Sequence, residues 1–600
     1  MNQNFITTNG KLKSNFRDCL LNPIPMDDTI WFPFNINKLS DDFFLNISNL
    51  SFEEICLMVL SNLLRDDIDN KDLKEIIRDS FNFEIPMKSF QGSNINILEM
   101  FHGPTFTFKD VGARFMSRIL KHYFSKDKFD IIVSTSGDTG SAVADAFQDL
   151  DNVKVHILYP QDKISNVQEK QLTTYGKNVF AYCTNGNFDD CQKLIKDTLK
   201  DKTLNSRLKF FPANSISIAR LIPQCLYYFW GYAEYVKKYG TSKKPVYCIP
   251  SGNLGNLSGL VLATKLGLPV EHIIGATNIN NTFERFLNGE DIDNVSRARE
   301  TLSNAMDISI PNNLKRLKFV FKDNFNMKKF ISSYSFDDES TLEGIIDFYN
   351  KYNYSIDPHT SIGYLAIKKD KLKFKDRDYI LISTAHPAKF YQTMDMVKIP
   401  YDIPEGIKKL DQLKEHKIYL ENNYDKWKEM LLKNSMKSVT FIGMPFSGKS
   451  YIGNLLAEKL DKKFIDFDKK LEEKFNQDLG SIVSNLSEEE FRIEEENIVI
   501  DYINKSKVSS ILSPGGSIVY CKKAMEYIKK NSLVVYLDTP LEILLERYEE
   551  FNKGNKPRGI VSKNGMGYKD LFKERKELYE SYYDIKINSV NIEFILNCLS

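Results

Sequence analysis

Along most of the chain, short aliphatic runs alternate with stretches whose apolar residues recur every three or four positions. "DIIVSTSGDTG", "VKVHILYP", "PVYCIPSGN", "HIIGATN" and "YILISTAHP" each read as a buried strand ending in Gly, Ser, Thr or Pro. Helical patterns such as "SAVADAFQDL" and "LSGLVLATKLGL" follow several of them, and the tail repeats the scheme with "VTFIG", "SSILSPGG" and "LVVYLD". Strands alternating with helices predict parallel sheets, hence an α/β class. Residues 1–95, with "SFEEICLMVLSNLLRD", are more helical. From Lys398 to Lys437 the chain turns polar, and the sparse apolar positions Leu410, Leu413, Ile418 and Leu420 predict a terminal helix plus a connector. The pattern thus predicts a helical part over 1–95, a second region over 96–430 and a tail unit over 431–600, with the last boundary near 430–437.

A chain of 600 residues is too long for one hydrophobic core, in keeping with several units. Its 42% hydrophobic and 27% charged residues are those of a soluble globular protein. The 81 basic and 80 acidic residues nearly cancel, which argues against a polyanion-binding surface and against nucleic acid as a partner. Cysteines at 19, 56, 183, 191, 225, 248, 521 and 598 form no CxxC pair, so neither a zinc site nor a redox motif is indicated. Sparse cysteines, no signal-like apolar run and no stretch of membrane-spanning length lead us to expect a cytoplasmic protein without a membrane partner.

The first candidate chemistry lies in "LEMFHGPTFTFKDVGARFMSRIL", residues 98–120. A strand-like segment meets a Gly-Pro-Thr turn, and a helix starting near Lys109 buries Val111, Phe115 and Ile119. Desolvation by Phe106 and Phe108 together with the helix dipole disfavours an ammonium at Lys109, and a neutral lysine can condense with an aldehyde cofactor. A lysine snorkelling over an aromatic surface would leave the same pattern. "STSGDTGSAVADAF" (134–147) sets hydroxyls, glycines and Asp138 before a helix, where backbone N–H groups can hold a carboxylate. "PSGNLGNLSGL" (250–260) is a second glycine loop, suited to a phosphate. Either loop alone could merely join a strand to a helix.

Over residues 5–425 these strings resemble threonine synthases, members of the tryptophan-synthase-β-like (fold type II) group of pyridoxal-phosphate enzymes. "FHGPTFTFKD", "STSGDTG", "YPQDKISNVQEKQL", "ANSISIARL", "PSGNLGNLSG", "TLSNAMDISIPNN" and "STAHPAKF" carry the resemblance, in order. It implies that Lys109 carries the pyridoxal phosphate aldehyde and shuttles protons. Gly252, Asn253, Leu254, Gly255 and Asn256 would hold the cofactor phosphate, with Asp138 near the phenolic oxygen and Thr384 near the pyridine nitrogen. Ser134, Thr135, Ser136 and Thr139 would receive the substrate carboxylate. Asn214, Ser215 and Arg220 of "NSISIAR" would grip the phosphate of O-phosphohomoserine, which becomes threonine and inorganic phosphate; an Arg fork suits a dianion. The rivals are a dehydratase of the same fold and an ordinary surface arginine at 220.

In the tail, "GMPFSGKS" fits G-x-x-x-x-G-K-[ST] between an apolar strand and a helix with Ile452, Leu455, Leu456 and Leu460 on one face. Gly443 and Gly448 let the backbone wrap ATP phosphates beside Ser447, Lys449 reaches the terminal phosphates, and Ser450 can ligand Mg²⁺. Asp466 and Asp468 of "FIDFD" stand two apart at a strand end, so that both can face one site; solvated loop carboxylates would look the same. Residues 437–595 resemble shikimate kinases through "GMPFSGKSYIG", "FIDFD", "EEEFRIEEE", "LSPGGSIVY", "VVYLDTP" and "ERKELYESYYDI", implying a P-loop NTPase fold with a parallel sheet. The resemblance implies that Asp466 belongs to the Mg²⁺ shell and that Asp468 activates the acceptor hydroxyl. Arg492 and Arg575 would bind the acceptor carboxylate, with Gly515 and Gly516 lining the pocket. Two departures stand out: Ser517 replaces the third glycine of a GGG, and the lid's Arg-Pro-Leu is Lys556-Pro557-Arg558, so Lys556 or Arg558 must meet the ATP phosphate. The resemblance implies shikimate as acceptor; homoserine fits through its carboxylate, its primary hydroxyl and the front half's use of its phosphate ester. A nucleotide-binding regulatory module without turnover is the third reading.

Overall fold

The computed structural model describes residues 3–588, apart from 26–27, 66, 293–294, 296, 375, 436–437, 461, 507–508 and 554–565. The chain forms two compact units, Met1–Trp427 and Lys428–Ser600.

In the first unit, a sheet in the order 331–335, 272–277, 246–250, 379–383, 95–99 and 87–89 is parallel except for its last pair. A second sheet, ordered 417–420, 179–184, 153–160, 129–134 and 210–212, is parallel throughout. Their central strands are buried along their whole length, as the unbroken aliphatic runs require of sheets covered on both faces. The N-terminal part adds a small antiparallel sheet (Phe5–Thr7, Lys13–Ser14, Trp31–Pro33) and helices including Phe52–Leu64. It has no core of its own: Phe16, Phe43 and Leu60 share one hydrophobic cluster with Phe115, Ile119 and Leu260. Each such fully buried side chain contributes about 1.5–3 kcal/mol of transfer free energy.

The 398–437 stretch departs from the expected helix-plus-connector. Lys417–Leu420 is an edge strand pairing in parallel with Val179–Thr184, so Ile418 and Leu420 belong to a period of two. The helix follows at Tyr424–Ser435 and buries Trp427, whose indole donates to Thr198 Oγ1. Four residues are too few to reveal a strand beside charged neighbours.

The second unit is one parallel sheet, ordered 463–466, 510–513, 438–442, 532–537 and 585–587. The central strand Ser438–Ile442 feeds the glycine loop and the helix Lys449–Lys459, of which Ile452 and Leu456 are fully buried. Among the described residues, no helix is long and apolar enough to cross a membrane.

Candidate active sites

In the first unit a cavity opens where the strands end and their following helices begin, the usual ligand position in α/β sheets. Lys109 opens the helix Lys109–Phe124, whose Val111, Phe115 and Ile119 are fully buried. Upstream, Thr105 donates N–H and hydroxyl to Asp110, and Phe106 takes a left-handed φ of 59°. Phe108 N donates to Thr384 O and His386 N to Phe106 O, which docks the turn on the segment after Tyr379–Ser383. Lys109 and Thr384 thereby face one cavity although 275 residues separate them in sequence.

Burial pushes the Lys109 ammonium down from 10.5 to about 8; Asp138 opposes this, and Lys389 and Arg220 reinforce it. Its Nζ lies 3.9 Å from Asp138 Oδ2, too far for a hydrogen bond, and 5.7 Å from the centre of the Phe108 ring. Asp138 is the first residue of the helix Asp138–Phe147, entered through Gly137 at φ 121°. A Cβ on Gly137 would sit 2.4 Å from Gln168 Cδ. Burial works to raise the Asp138 pKa, but Lys389, Lys109, the Gln168 hydrogen bond and His359 outweigh it and keep the carboxyl well below the usual range.

Ser136, Asp138 and Thr139 line the cavity, whereas Ser134 and Thr135 sit behind it. The Thr135 hydroxyl accepts from Gly137 N and Gly140 N, both at 2.9 Å, so it shapes the loop that presents its neighbours. Asn214 likewise uses both ends of its amide on the Ser134 backbone. Ser215 Oγ accepts from Asn253 Nδ2 and Asn313 Nδ2, tying the 214–220 loop to the 250–256 loop and to the start of the helix Leu314–Phe321. In the 250–256 loop, Leu254 is left-handed (φ 58°) and contributes backbone only, its side chain being buried. Gly252 has no room for a Cβ, which would fall 2.6 Å from Met306 Cα. Asn256 spends its side chain on Ser251, Leu257 N and Pro250 O, bracing the start of the helix Gly255–Lys265. The N–H groups of that helix start, beside glycines, make an anion cradle.

Arg220 is buried, its guanidinium lowered to about 10 by desolvation. One nitrogen donates to Ala213 O at 2.5 Å, while Nε is buried without a hydrogen-bond partner. That Nε packs against Gly112, while the residue as a whole lines the cavity.

Five contributors went unseen in the sequence. Gly112 lies one helical turn from Lys109, and a Cβ there would reach within 2.8 Å of Arg220 Nε. Gln168 and Lys389 hold Asp138, each at 2.9 Å. His359 lines the cavity, paired through Nδ1 with Asp357 at 2.7 Å and accepting Ala305 N at 3.3 Å on Nε2. Arg316, fully buried, donates to the carbonyls of Trp31, Ser215 and Ile216 and so fixes the 214–220 loop. Gln168 and Lys389 lie within "YPQDKISNVQEKQL" and "STAHPAKF", yet no spacing rule ties either to Asp138.

The second unit carries its own pocket. Gly443 (φ 149°), Phe446 (φ 69°) and Gly448 (φ 97°) bend the loop that precedes the helix Lys449–Lys459. Lys449 Nζ donates to Gly443 O at 2.9 Å and Met444 O at 3.0 Å, and Ser447, fully buried, is framed by Thr539 donating to its carbonyl. Ser450 Oγ donates to Asp466 Oδ2 at 2.7 Å. Asp466 and Asp468 do not converge by strand alternation as expected. Asp466 ends the strand and caps the helix Phe467–Phe475, accepting Asp468 N at 3.0 Å, and the helical turn brings Asp468 to the pocket wall.

Asp468, Gly515, Gly516 and Arg575 line this pocket together with Gly448, Lys449 and Ser450. Arg492 does not line it; its guanidinium pairs with Glu488 and lies 4.1 Å from the Tyr520 ring centre, with Arg575 5.3 Å from the same ring. Ser517 donates to Glu495 Oε2 at 2.8 Å, and burial pushes that carboxyl up to about 7. Lys556 and Arg558 lie outside the described residues. Among the described residues, no cluster of three or more His, Cys, Asp or Glu side chains could hold a metal.

Family models match four stretches: "Threonine synthase N terminus" over 4–81, "Pyridoxal-phosphate dependent enzyme" over 87–384, "Threonine synthase, C-terminal" over 360–431 and "Shikimate kinase" over 445–593. A threonine synthase of Buchnera aphidicola subsp. Schizaphis graminum is 36% identical over 406 residues, 67% of this chain and 93% of the relative. The chain belongs to the threonine synthase family. The Escherichia coli threonine synthase is 38% identical over 369 residues, 61% of this chain and 84% of its own length. A crystal structure of threonine synthase from Escherichia coli superposes with a TM-score of 0.67 at 34% identity, covering 71% of this chain and 99% of that one. The threonine synthase matches cover the first unit, and the shikimate kinase model falls within the second.

Proposed function

We propose that the first unit converts O-phosphohomoserine and water to threonine and phosphate with pyridoxal phosphate, and that the second transfers phosphate from ATP to a small hydroxy acid. The observation that carries the synthase reading is a lysine of depressed pKa and a buried arginine lining one cavity. The residues fit the cofactor: Gly252 admits no side chain, Leu254 turns left-handed, and the helix start at Gly255 is an anion cradle. Lys109 would hold the aldehyde carbon, Gly252, Asn253 and Gly255 the phosphate, Asp138 the phenolic side and Thr384 the pyridine nitrogen. When bound, pyridoxal phosphate supplies the electron sink for charge on the substrate carbons. Ser136 and Thr139 orient the substrate carboxylate, and Arg220 with Asn214 and Ser215 faces its phosphate. Lys109 Nζ, neutral in a fair fraction of molecules, takes up and returns protons at the substrate. Arg220→Ala should lower the kcat/KM for phosphate release from O-phosphohomoserine by about 10²–10³-fold, mostly through KM. Turnover unchanged in that variant would remove the phosphate subsite from Arg220.

For the second unit the supporting observation is the shared pocket of Lys449, Ser450, Asp468, Gly515, Gly516 and Arg575. Ser450 and Asp466 supply two oxygens for Mg²⁺, which ordinarily completes its shell with nucleotide phosphates and water. Asp468 would accept the proton of the acceptor hydroxyl, and Arg575 would bind its carboxylate. Shikimate is the acceptor the family match supports. Homoserine is the alternative, favoured by Ser517, which fills the third glycine position and is tied to buried Glu495. The full-length chain given ATP and each acceptor separates the two. Shikimate-dependent ADP release supports the first, and homoserine with ATP yielding threonine supports the second. Nucleotide binding without ADP release would leave a regulatory module.

A further inference from the structure

Lys389 is completely buried behind the cavity wall. Its Nζ donates to Thr105 O at 2.8 Å and pairs with Asp138 Oδ1 at 2.9 Å. Gln168 Nε2 donates to the same Oδ1 at 2.9 Å. Ser165 links the two clamps, its hydroxyl donating to Lys389 O at 2.8 Å and its N–H to Gln168 Oε1 at 3.0 Å. Asn304 also donates to Gln168 Oε1, at 3.0 Å. With Oδ1 taken twice, Asp138 can turn only Oδ2 toward Thr107 Oγ1 at 3.4 Å and Lys109 Nζ at 3.9 Å.

We propose that Lys389 is a positioning residue which holds Asp138 away from Lys109 and shares its charge, leaving the Lys109 amine free to capture the cofactor aldehyde. Two cations compete for one carboxylate in a dry site, and the one at hydrogen-bond distance wins most of it. Without Lys389, Asp138 would close on Lys109 and retain its proton. The charged groups facing Lys109 are Asp138, Lys389 and Arg220, with Asp110 and His359 behind them. Of these, Lys389 and Arg220 both oppose the ammonium form of Lys109, and removing Lys389 moves the amine toward protonation.

The inference rests on reading the cavity as a pyridoxal phosphate site. The test is a pH titration of the visible absorption of the full-length protein loaded with pyridoxal 5'-phosphate. Lys389→Met should raise the midpoint by about one pH unit or more, while Lys389→Arg, which keeps the cation, holds the wild-type midpoint. A folded Lys389→Met with an unmoved midpoint, or Lys389→Arg shifted equally far, overturns the proposal. Should Lys389→Met fail to fold, the comparison moves to an Asp138→Asn background, which leaves no lone buried carboxylate. There, adding Lys389→Met should leave the midpoint where Asp138→Asn alone puts it, because Lys389 acts through the Asp138 carboxylate, and a rise of about one pH unit or more overturns the proposal. A wild-type protein that takes up pyridoxal 5'-phosphate without a visible band would instead refute the cofactor reading itself.

Discussion

Lys109→Ala is expected to abolish the visible absorption of the protein loaded with pyridoxal 5'-phosphate and to lower threonine formation by about 10³-fold or more. The size of the effect follows from the surroundings of Nζ. At its ordinary value of 10.5 about three lysines in ten thousand would be neutral at pH 7; at about 8, roughly one in ten is. That gain comes from burial at a helix start, reinforced by Lys389 and Arg220 and opposed by Asp138, which stays 3.9 Å away. No second amine can take over, because Lys389 is fixed on Thr105 O and Asp138 Oδ1. Since neutral amine is the reactive form, capture of the aldehyde by wild-type apoprotein should rise with pH and level off above about 8. Absorption persisting in the alanine variant as a lysine-linked species, recovered on a peptide after borohydride reduction, would place the anchor elsewhere.

Legibility in the sequence followed the range of the contacts involved. Strands buried on both faces, such as Tyr379–Ser383 and Val246–Pro250, write themselves as aliphatic runs, and loops that must admit an anion write themselves as glycines. Lys109 was legible because its helix start, its aromatic neighbours and the buried face behind it are all local. The Asp138 clamp was not: Gln168 is 30 residues away and Lys389 is 251, and a lysine near a chain of apolar residues carries no mark of being buried. The same limit hid the strand Lys417–Leu420, which exists only because Val179–Thr184 offers it an edge. In the second unit the pairing of Asp466 and Asp468 was read from strand alternation, while the structure gets it from a helix cap. Thr135 and Asn256 show a further kind of gap, since a motif names residues without saying whether the side chain or the backbone serves the ligand. Both spend their side chains inside their own loops.

Lys449→Met is expected to cut ATP turnover by the second unit about 10²–10³-fold while leaving threonine formation from O-phosphohomoserine unchanged. Lys449 Nζ rests on the carbonyls of Gly443 and Met444, the near walls of its own loop. Those carbonyls are neutral acceptors, so phosphate oxygens carrying full charge compete effectively for the ammonium, and a charge-assisted bond replaces a weaker one. The methionine variant keeps the stem that packs beside the loop and removes the charge alone, so the loop should retain its left-handed bends at Phe446 and Gly448. The contribution of the ammonium grows as charge moves onto the transferred group, which puts the loss mainly in kcat rather than in nucleotide affinity. The two activities should therefore respond separately: Lys109→Ala spares ADP release, and Lys449→Met spares threonine formation. Should homoserine be the acceptor, either substitution would stop the conversion of homoserine and ATP to threonine, but Lys109→Ala alone would accumulate O-phosphohomoserine. A Lys449→Met protein that releases ADP at the wild-type rate with every acceptor would show that the glycine loop is not where the phosphate is transferred.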